Sequence, residues 1–253
     1  MRESINIFKS VTVFVLTANE TVLLRQTISK IKNSDYFCDI HKIVVVAKNS
    51  SCDGFFEAER LVAEDSTGKI SIYLQKAPTI EQCIKELPKL VESSHFIIMA
   101  ADMETDPDNI SDFIKMAKLH PEAIICAAKW LKDSVVEGYG KIHELGSRVM
   151  NTFVSILFNV KAKDLFFIYQ IYPLSVYRRL NYGESSTFVY EHSTKAIRNG
   201  VEYIEIPTVY KKRTEGKSHV SAVKMIKLAI VFCFVAIKVR FSKRIPDNNT
   251  NKQ

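Results

Sequence analysis

The sequence predicts an α/β domain in which helices cover both faces of a central, mostly parallel sheet. Short runs of apolar, often β-branched residues alternate with segments whose apolar residues recur at helical spacing. Strands that alternate with helices over this length favour parallel pairing. The chain has 253 residues, of which 47% are hydrophobic, so it can form one large domain with a short appendage.

The first half of the chain supplies most of the predicted sheet. Five apolar runs are predicted to be buried strands: Val11–Leu16, Ile43–Ala47, Ile70–Leu74, Phe96–Met99 and Glu122–Ala128. The segments between them have helical periodicity and predict four helices: Thr21–Ile31, Phe55–Glu64, Ile80–Val91 and Pro107–Leu119. Proline is common in the first turn of a helix, which is why the fourth is predicted to begin at Pro107.

The second half has a different character. A long amphipathic helix is predicted from Lys141 to Phe158, and another from Phe188 to Gly200, where glycine ends it. Between them, the segment Asp164–Pro173 is rich in aromatic residues. A strand broken by Pro207 is predicted over Val201–Tyr210. This proline cannot donate a ladder hydrogen bond and therefore favours an edge position.

An acidic turn follows the fourth predicted strand. Asp102, Glu104 and Asp106 occupy alternate positions, so continued extended geometry would aim the first two carboxylates at one point. Mg²⁺ and Mn²⁺ prefer oxygen ligands, and Mg²⁺ takes one or two carboxylates together with substrate phosphates. Ligands of open α/β sheets bind beyond the carboxyl ends of the strands. The alternative interpretation is a solvated turn in which Asp106 or Asp108 caps the next helix.

Several common kinds of site are excluded by their motifs. The sequence contains neither GxGxxG nor GxxxxGK[ST], which excludes a dinucleotide fingerprint and a P-loop. The five cysteines are scattered without a CxxC pair, which argues against zinc and for reduced thiols in a cytosolic setting. A nucleotide would therefore be held by strand-end side chains and a metal.

The order of these segments resembles the family 2 glycosyltransferases, specifically the polyprenyl-phosphate (dolichyl-phosphate) mannosyltransferases. Thr17–Glu20 looks like the PxYNE turn that holds the nucleobase, and Lys48–Gly54 stands where the family has DDGSxDGT. Ala100–Pro107 is similar to DADLQHDP, and Ala127–Lys129 falls on GSR. The resemblance implies a GT-A-type three-layer α/β/α fold. It also implies an inverting transfer that uses Mg²⁺ or Mn²⁺ and a GDP- or UDP-sugar.

The resemblance implies a donor site at the strand ends. Asp102 is the first metal ligand and a catalytic candidate, and Glu104 is the second metal ligand. The residues implied to bind the nucleotide sugar lie in or beside the matching motifs: Thr17, Asn19, Glu20, Lys48, Asn49, Ala101 and Lys129. For Asn19 and Glu20, capping of the following helix is the competing interpretation.

The sequence departs from the family pattern at the donor site. Ala100 replaces the first Asp of the DxD motif, and Ala47 with Lys48 replaces the Asp pair that contacts the nucleotide. Losing one carboxylate weakens metal binding without abolishing it, because the donor diphosphate supplies oxygens of its own. Lys48 could instead neutralise a phosphate.

The acceptor site is implied by the second half of the resemblance. Gly146–Asn151 is similar to the RxxxSxxxN helix, and the block that ends at Ser218 follows FExELxxxxxxxGxxIxExPxxYxxRxxGxS. Asp164 falls on the family's acidic position near the acceptor, so Asp164 or Glu191 is the candidate general base for a hydroxyl acceptor. A lipid phosphate is already ionised and needs none. The phosphate-binding candidates are Arg148, Arg213, Lys217 and Ser218, and Arg213 is also a catalytic candidate.

Positive charge is concentrated near the C-terminus. Lys211–Arg244 has ten Lys or Arg and one Glu, a net +9, whereas the whole chain has +7. Its apolar centre, Leu228–Ile237, is too short to span ~30 Å of hydrocarbon, and the flanking cations predict an interfacial helix on an anionic membrane. The alternative is a helix docked on the domain's own core or in a dimer interface. Nucleic acid is not an expected partner, because the cations bracket an apolar helix.

The predicted organisation is a transferase domain over residues 1–220, a basic amphipathic membrane-surface helix over residues 221–245 and a polar tail over residues 246–253. The leading hypothesis is a cytoplasmic, peripherally membrane-associated transferase that moves a sugar to a polyprenyl phosphate or a glycan. The alternative hypothesis is a non-catalytic nucleotide-sugar-binding or adaptor protein with a degenerate metal site. Ala47, Lys48 and Ala100 favour the alternative, whereas Asp102 and Glu104 favour the transferase.

Overall fold

The computed structural model describes residues 7–180, 182, 188–212 and 222–245. The strands of the central sheet are β1 Val11–Thr17, β2 Ile40–Ala47, β3 Ile70–Leu74, β4 His95–Ala100, β5 Ile124–Ala128, β7 Gln170–Pro173 and β8 Tyr203–Pro207. They lie in the order β3-β2-β1-β4-β7-β5-β8, and only β7 runs antiparallel to its neighbours. A separate parallel pair is formed by β6 Val135–Glu137 and β9 Val209–Lys211.

The helices are α1 Val22–Lys32, α2 Asp53–Ala63, α3 Ile80–Glu86, α4 Asn109–Leu119, α5 Lys141–Phe158, α6 Leu174–Leu180, α7 Phe188–Arg198 and α8 Ala222–Phe241. They cover both faces of the sheet because successive strand residues point to opposite sides. Val13 and Val15 of β1 pack under α1, α2 and α4, whereas Phe14 packs on the other face under α3 and α6.

The C-terminal helix is part of the folded domain. Ala236 of α8 is buried in a cluster with Val154 of α5 and Leu165, and Phe232 contacts the ring of Phe166 at 4.5 Å between centroids. Arg240 Nε donates to the carbonyl of Leu157 at 2.9 Å. In the part of the chain that the structure describes, no helix combines the length and the apolarity needed to span a membrane.

The predicted fold class is confirmed, and three of the predicted elements whose bounds differ from the observed ones have a proline at the point of difference. α3 ends at Glu86 rather than Val91, because Pro88 lacks the N–H that an α-helix needs, and the chain continues as a 3-10 turn over Leu87–Leu90. α4 begins at Asn109, since Pro107 lies in the preceding turn. The predicted strand Val201–Tyr210 is two strands in two sheets, because Pro207 ends β8, which lies at the sheet edge as predicted.

Candidate functional site

The candidate site begins where three parallel strands end side by side. The amide of Lys48, after β2, donates to the carbonyl of Thr17 at 3.1 Å, and the amide of Ala101, after β4, donates to Leu16 at 2.9 Å. The loops after β1, β2 and β4 therefore meet at one edge of the sheet. This edge collects most of the residues that the sequence assigned to the donor.

Glu20 closes the turn after β1. Its Oε2 accepts hydrogen bonds from the Ala18 amide at 2.7 Å and from Thr17 Oγ1 at 3.2 Å. The N-cap of α1 is Thr21, which makes no side-chain capping bond, so Glu20 stabilises its own turn rather than the helix start. Asn19 at the tip of this turn is exposed to solvent.

The loop after β2 is ordered by Asn49, whose Oδ1 accepts from the amide and hydroxyl of Ser51. Lys48 and Asn49 are both exposed beside the β1 turn. Gly54 starts α2 so close to that turn that its amide donates to the carbonyl of Ala18 at 3.0 Å. A Cβ at Gly54 would lie 2.9 Å from the same carbonyl oxygen, so only glycine allows this approach.

The acidic turn does not continue the extended geometry of β4. The strand ends at Ala100, and Met103 has a φ of 59°, in the left-handed region that non-glycine residues seldom adopt. The amide of Glu104 donates to Asp102 Oδ1 at 3.1 Å. Asp102 is buried and Glu104 is half-buried. Asp102 and Glu104 thus lie in one tight turn, whereas the sequence prediction relied on alternation along an extended strand.

Neither acid proposed as a helix cap has that role among the described hydrogen bonds. Asp106 Oδ1 accepts from the amide of Asp108, and the Asp108 side chain makes no capping bond to α4. Lys30 lies 2.5 Å from Asp108 and 3.8 Å from Asp106. These two acids therefore tie the turn to α1.

Two tyrosines that the sequence analysis missed approach the acidic turn. Burial raises the pKa of Tyr210, and the nearby charge of Glu104 raises it further. Burial also raises the pKa of Tyr139, which lies close to Asp164. The two rings contact each other, with centroids 5.1 Å apart. Tyr210 reaches the site because β9 leaves the central sheet after Pro207 and pairs with β6. The proline signals the break in the strand, but no sequence pattern signals the pairing with β6.

Lys129 and Asp164, assigned to the donor and the acceptor, are joined in one buried ion pair. Lys129 Nζ lies 2.8 Å from Asp164 Oδ2, and the two side chains are only 5% and 2% exposed. The same carboxylate oxygen accepts from the Lys129 amide at 3.0 Å. Lys129 Nζ also lies 3.3 Å from the centre of the Phe167 ring. The pair is a fixed, desolvated part of the site wall.

The segment around Asp164 is held from two sides. Asn151 of α5 accepts from the Leu165 amide at 2.7 Å, and Glu205 of β8 accepts from the amides of Lys163 and Asp164 at 2.8 and 2.6 Å. Burial raises the pKa of Glu205, whereas its two backbone hydrogen bonds lower it. Asn151 and Glu205 lie in the family-like motifs, and in the structure they position Asp164.

Arg148 lies on α5 beside Trp130. Its guanidinium carbon is 4.5 Å from the centre of the Trp130 ring, and its Nε donates to Glu144 at 2.8 Å. Trp130 is buried and donates to Ser147 Oγ at 3.1 Å. Next to them is a cavity of about 860 Å³, a size that suits a small ligand, and the cations Arg148, Lys161 and Lys163 are among its lining residues.

Three predicted site residues, Arg213, Lys217 and Ser218, lie outside the described residues. Within the described residues, no group of three or more His, Cys, Asp or Glu side chains could hold a metal ion by itself. Asp102 and Glu104 are two carboxylates of one turn, and the charges of both act on Tyr210. A pair fits a Mg²⁺ or Mn²⁺ ion that takes its other ligands from a diphosphate and water.

Comparison with solved structures identifies similar folds among nucleotide-sugar enzymes. Glucosyl-3-phosphoglycerate synthase from Mycobacterium tuberculosis, in complex with Mn²⁺, UDP and phosphoglyceric acid, has a TM-score of 0.66 at 10% identity over 95% of this chain and 80% of that one. The mannosyltransferase PcManGT from Pyrobaculum calidifontis, in complex with GDP-Man and Mn²⁺, has a TM-score of 0.63 at 16% identity. That match covers 94% of this chain and 66% of the mannosyltransferase.

No protein-family model matches the sequence, and no curated protein matches it either. At 10% and 16% identity, the structural matches carry information about the fold and not about the reaction. The strand order and the two matches agree on one conclusion. The chain has the GT-A-type fold of nucleotide-sugar glycosyltransferases.

Proposed function

We propose that the protein transfers a sugar from a GDP- or UDP-sugar to a phosphate-bearing lipid or a glycan, with inversion at the sugar carbon. One observation carries the proposal. In a GT-A-type fold, the turn with Asp102 and Glu104 lies at the edge where the loops after β1, β2 and β4 meet. Ligands of such sheets bind beyond the carboxyl ends of the strands.

Asp102 and Glu104 are the residues that would hold a Mg²⁺ or Mn²⁺ ion at this edge. When bound, such an ion neutralises the charge that develops on the leaving diphosphate. The two carboxylates concentrate negative potential, since the charges of both raise the pKa of the half-buried Tyr210, whose own burial raises it most. The backbone amide of Ala101 donates to Leu16 of β1, and this hydrogen bond fixes the position of the neighbouring Asp102 relative to the end of β1.

The donor nucleotide would bind between the first two loops. The Thr17–Glu20 turn and Lys48 with Asn49 form two adjacent walls, and their exposed side chains face solvent at the sheet edge. Lys48 supplies a positive charge where the family has carboxylates, which suits a phosphate. Lys129 is paired with Asp164, so we propose that it supports donor binding by positioning this part of the site wall and not by contacting the donor.

The acceptor would bind on the side of Arg148. The cavity beside Trp130 has three cations among its lining residues and no carboxylate, which favours an ionised phosphate over a neutral hydroxyl. Asp164, the candidate general base, is buried and paired with Lys129. A hydroxyl acceptor would need that base, whereas a phosphate acceptor would not, so the ion pair also favours a phosphate. Arg213, Lys217 and Ser218 are proposed as further phosphate ligands from outside the described residues.

A transfer panel tests this proposal. GDP- and UDP-sugars are incubated with the full chain and Mn²⁺, Mg²⁺ or EDTA, with and without polyprenyl phosphate. We expect sugar transfer to the lipid in Mn²⁺ or Mg²⁺ and none in EDTA. Metal-dependent donor binding without transfer to any acceptor would favour the alternative function, a nucleotide-sugar-binding or adaptor protein. Transfer that is equally fast in EDTA would contradict the metal assignment.

We further propose that α5 and α8 hold the protein on an anionic membrane surface. Both helices pack on the domain with one face and expose apolar residues on the opposite face. The exposed residues are Ile142, Leu145, Val149, Phe153 and Ile156 on α5, and Ile230, Phe234, Ile237 and Phe241 on α8. Lys238, Lys243 and Arg244 lie exposed beside the α8 stripe. Two copies joined through this face would bring their cations together, whereas an anionic surface complements them.

Liposome binding tests the membrane face. The double variant Phe234→Ser/Phe241→Ser should reduce binding to anionic vesicles at least about tenfold, because each buried phenyl contributes roughly 1.5 kcal/mol or more. These residues are 75% and 79% exposed, so the fold should be unaffected. The control Val22→Ser/Leu119→Ser removes two exposed apolar side chains elsewhere. Equal binding by both variants would contradict the assignment. If Phe234→Ser/Phe241→Ser instead dissociates a dimer in ultracentrifugation, the exposed face is a dimer interface and not a membrane-binding surface.

A further inference from the structure

A second positively charged cavity lies between α3 and α6, on a helical face of the sheet. Its volume is about 640 Å³. Four cations and one carboxylate are among its lining residues: Lys76, Lys85, Lys89, Arg178 and Glu86. The hydroxyl of Tyr177 donates to the carbonyl of Lys85 at 3.1 Å and so fixes the distance between the two helices. We refer to this cavity as the α3–α6 groove.

The α3–α6 groove extends away from the candidate transfer site. Lys76 lies in the loop after β3, at the edge of the sheet where Asp102 also lies, whereas Lys89 and Arg178 lie further along the groove. Arg178 also lines a smaller cavity with Ser94 and His95, at the start of β4. Since Asp102 follows the end of β4, the Arg178 end of the groove is at the opposite edge of the sheet.

The four cations that line the groove have no carboxylate partner among the residues that the structure describes. Within the described part of the chain, no Asp or Glu lies within 4 Å of the side-chain nitrogens of Lys76, Lys85, Lys89 or Arg178. Surface cations elsewhere in the protein are often paired, as Lys30, Lys32 and Lys118 are. The described lining residues, four cations and one carboxylate, therefore carry a net positive charge.

A fifth cation faces the same region from α7. Lys195 Nζ lies 5.0 Å from the centre of the Tyr182 ring, and Tyr182 lines the groove. Burial lowers the pKa of Lys195, and the charge of Lys85 lowers it further, whereas Glu191 acts in the opposite direction. Lys195 is thus attracted by Glu191 and repelled by Lys85, and an anion in the groove would offset the repulsion from Lys85.

We propose that the α3–α6 groove is a second anion site, which binds a ligand with two or more phosphate groups. Guanidinium and ammonium groups are the side chains that bind phosphate best, and their spread along the groove suits several phosphates rather than one. The phosphates belong to a soluble ligand or to a lipid headgroup. This site is separate from the proposed transfer reaction and does not depend on it.

Calorimetric titration with inorganic tripolyphosphate tests the proposal. EDTA is present throughout, so that metal-dependent binding at the transfer site does not contribute. The variant Lys85→Gln/Lys89→Gln should bind tripolyphosphate about tenfold more weakly than the unmodified protein, and Arg178→Gln alone should also weaken it. The control Lys42→Gln/Lys115→Gln has the same net charge, removes two exposed lysines outside the groove, and should bind within about twofold of the unmodified protein.

Vesicles identify the source of the phosphate. Phosphatidylcholine vesicles with phosphatidic acid are compared for the two double variants. If only the groove variant loses vesicle binding, the ligand is a lipid headgroup; if both bind vesicles equally, the ligand is soluble. The proposal is overturned if tripolyphosphate fails to bind, if both double variants bind it equally, or if inorganic phosphate binds as tightly as tripolyphosphate.

Discussion

Replacing Asp102 by Asn is expected to abolish metal-dependent donor binding and to lower the transfer rate at least about 100-fold, the usual scale for losing a group that stabilises developing charge. Asn keeps the shape of the side chain and can still accept the hydrogen bond from the Glu104 amide, so the turn should survive. Donor binding is measured by titration with Mn²⁺ at fixed nucleotide sugar.

Three further variants sharpen this test. Glu104→Gln should weaken the Mn²⁺ dependence moderately, and Ala100→Asp should tighten it, because it restores the carboxylate that the family pattern has there. Asp112→Asn serves as the control, since Asp112 is an exposed carboxylate on α4. An Asp102→Asn protein with an unchanged Mn²⁺ dependence would remove Asp102 from the set of metal ligands.

Replacing Lys129 by Met is expected to lower the free energy of unfolding by about 3–5 kcal/mol, because it leaves the Asp164 carboxylate buried without its cation. The double variant Lys129→Met/Asp164→Leu should recover much of that loss, since no buried charge then remains. Both quantities are obtained from urea unfolding.

The exposed pair between Arg148 and Glu144 provides the control. Its side chains are 51% and 40% exposed, so Glu144→Gln should cost only about 0.5 kcal/mol or less. If Lys129→Met costs no more than Glu144→Gln, the buried pair does not stabilise the fold. Donor binding by Lys129→Met/Asp164→Leu distinguishes the two possible roles of Lys129. Unchanged binding indicates a structural role, and lost binding indicates a direct contact with the donor.

The fold was predictable because its signals are local. Apolar runs such as Val11–Leu16 identify buried strands, and the helical spacing of Lys141–Phe158 gives the observed bounds of α5. Parallel strands end at one edge, so Thr17 at the end of β1, and Lys48 and Ala101 directly after β2 and β4, could be assigned to a single site from the sequence.

Other parts of the site depend on contacts between distant segments. The left-handed conformation of Met103 and the pairing of Lys129 with Asp164 are set by tertiary packing and leave no periodic signal. The same holds for Tyr210, which approaches Glu104 only because β9 pairs with β6. Hydropathy alone did not show whether α8 packs on the domain. The burial of Ala236 against α5 shows that one face of the helix does.

The central claim is that a nucleotide diphosphate binds at the sheet edge formed by the loops after β1, β2 and β4. A crystal structure of the protein with Mn²⁺ and GDP or UDP tests it most directly. The account predicts Mn²⁺ bound to Asp102 and to the diphosphate, with the base between the Thr17–Glu20 turn and Asn49. A nucleotide bound elsewhere, for example in the α3–α6 groove, with no contact to Asp102 would contradict it.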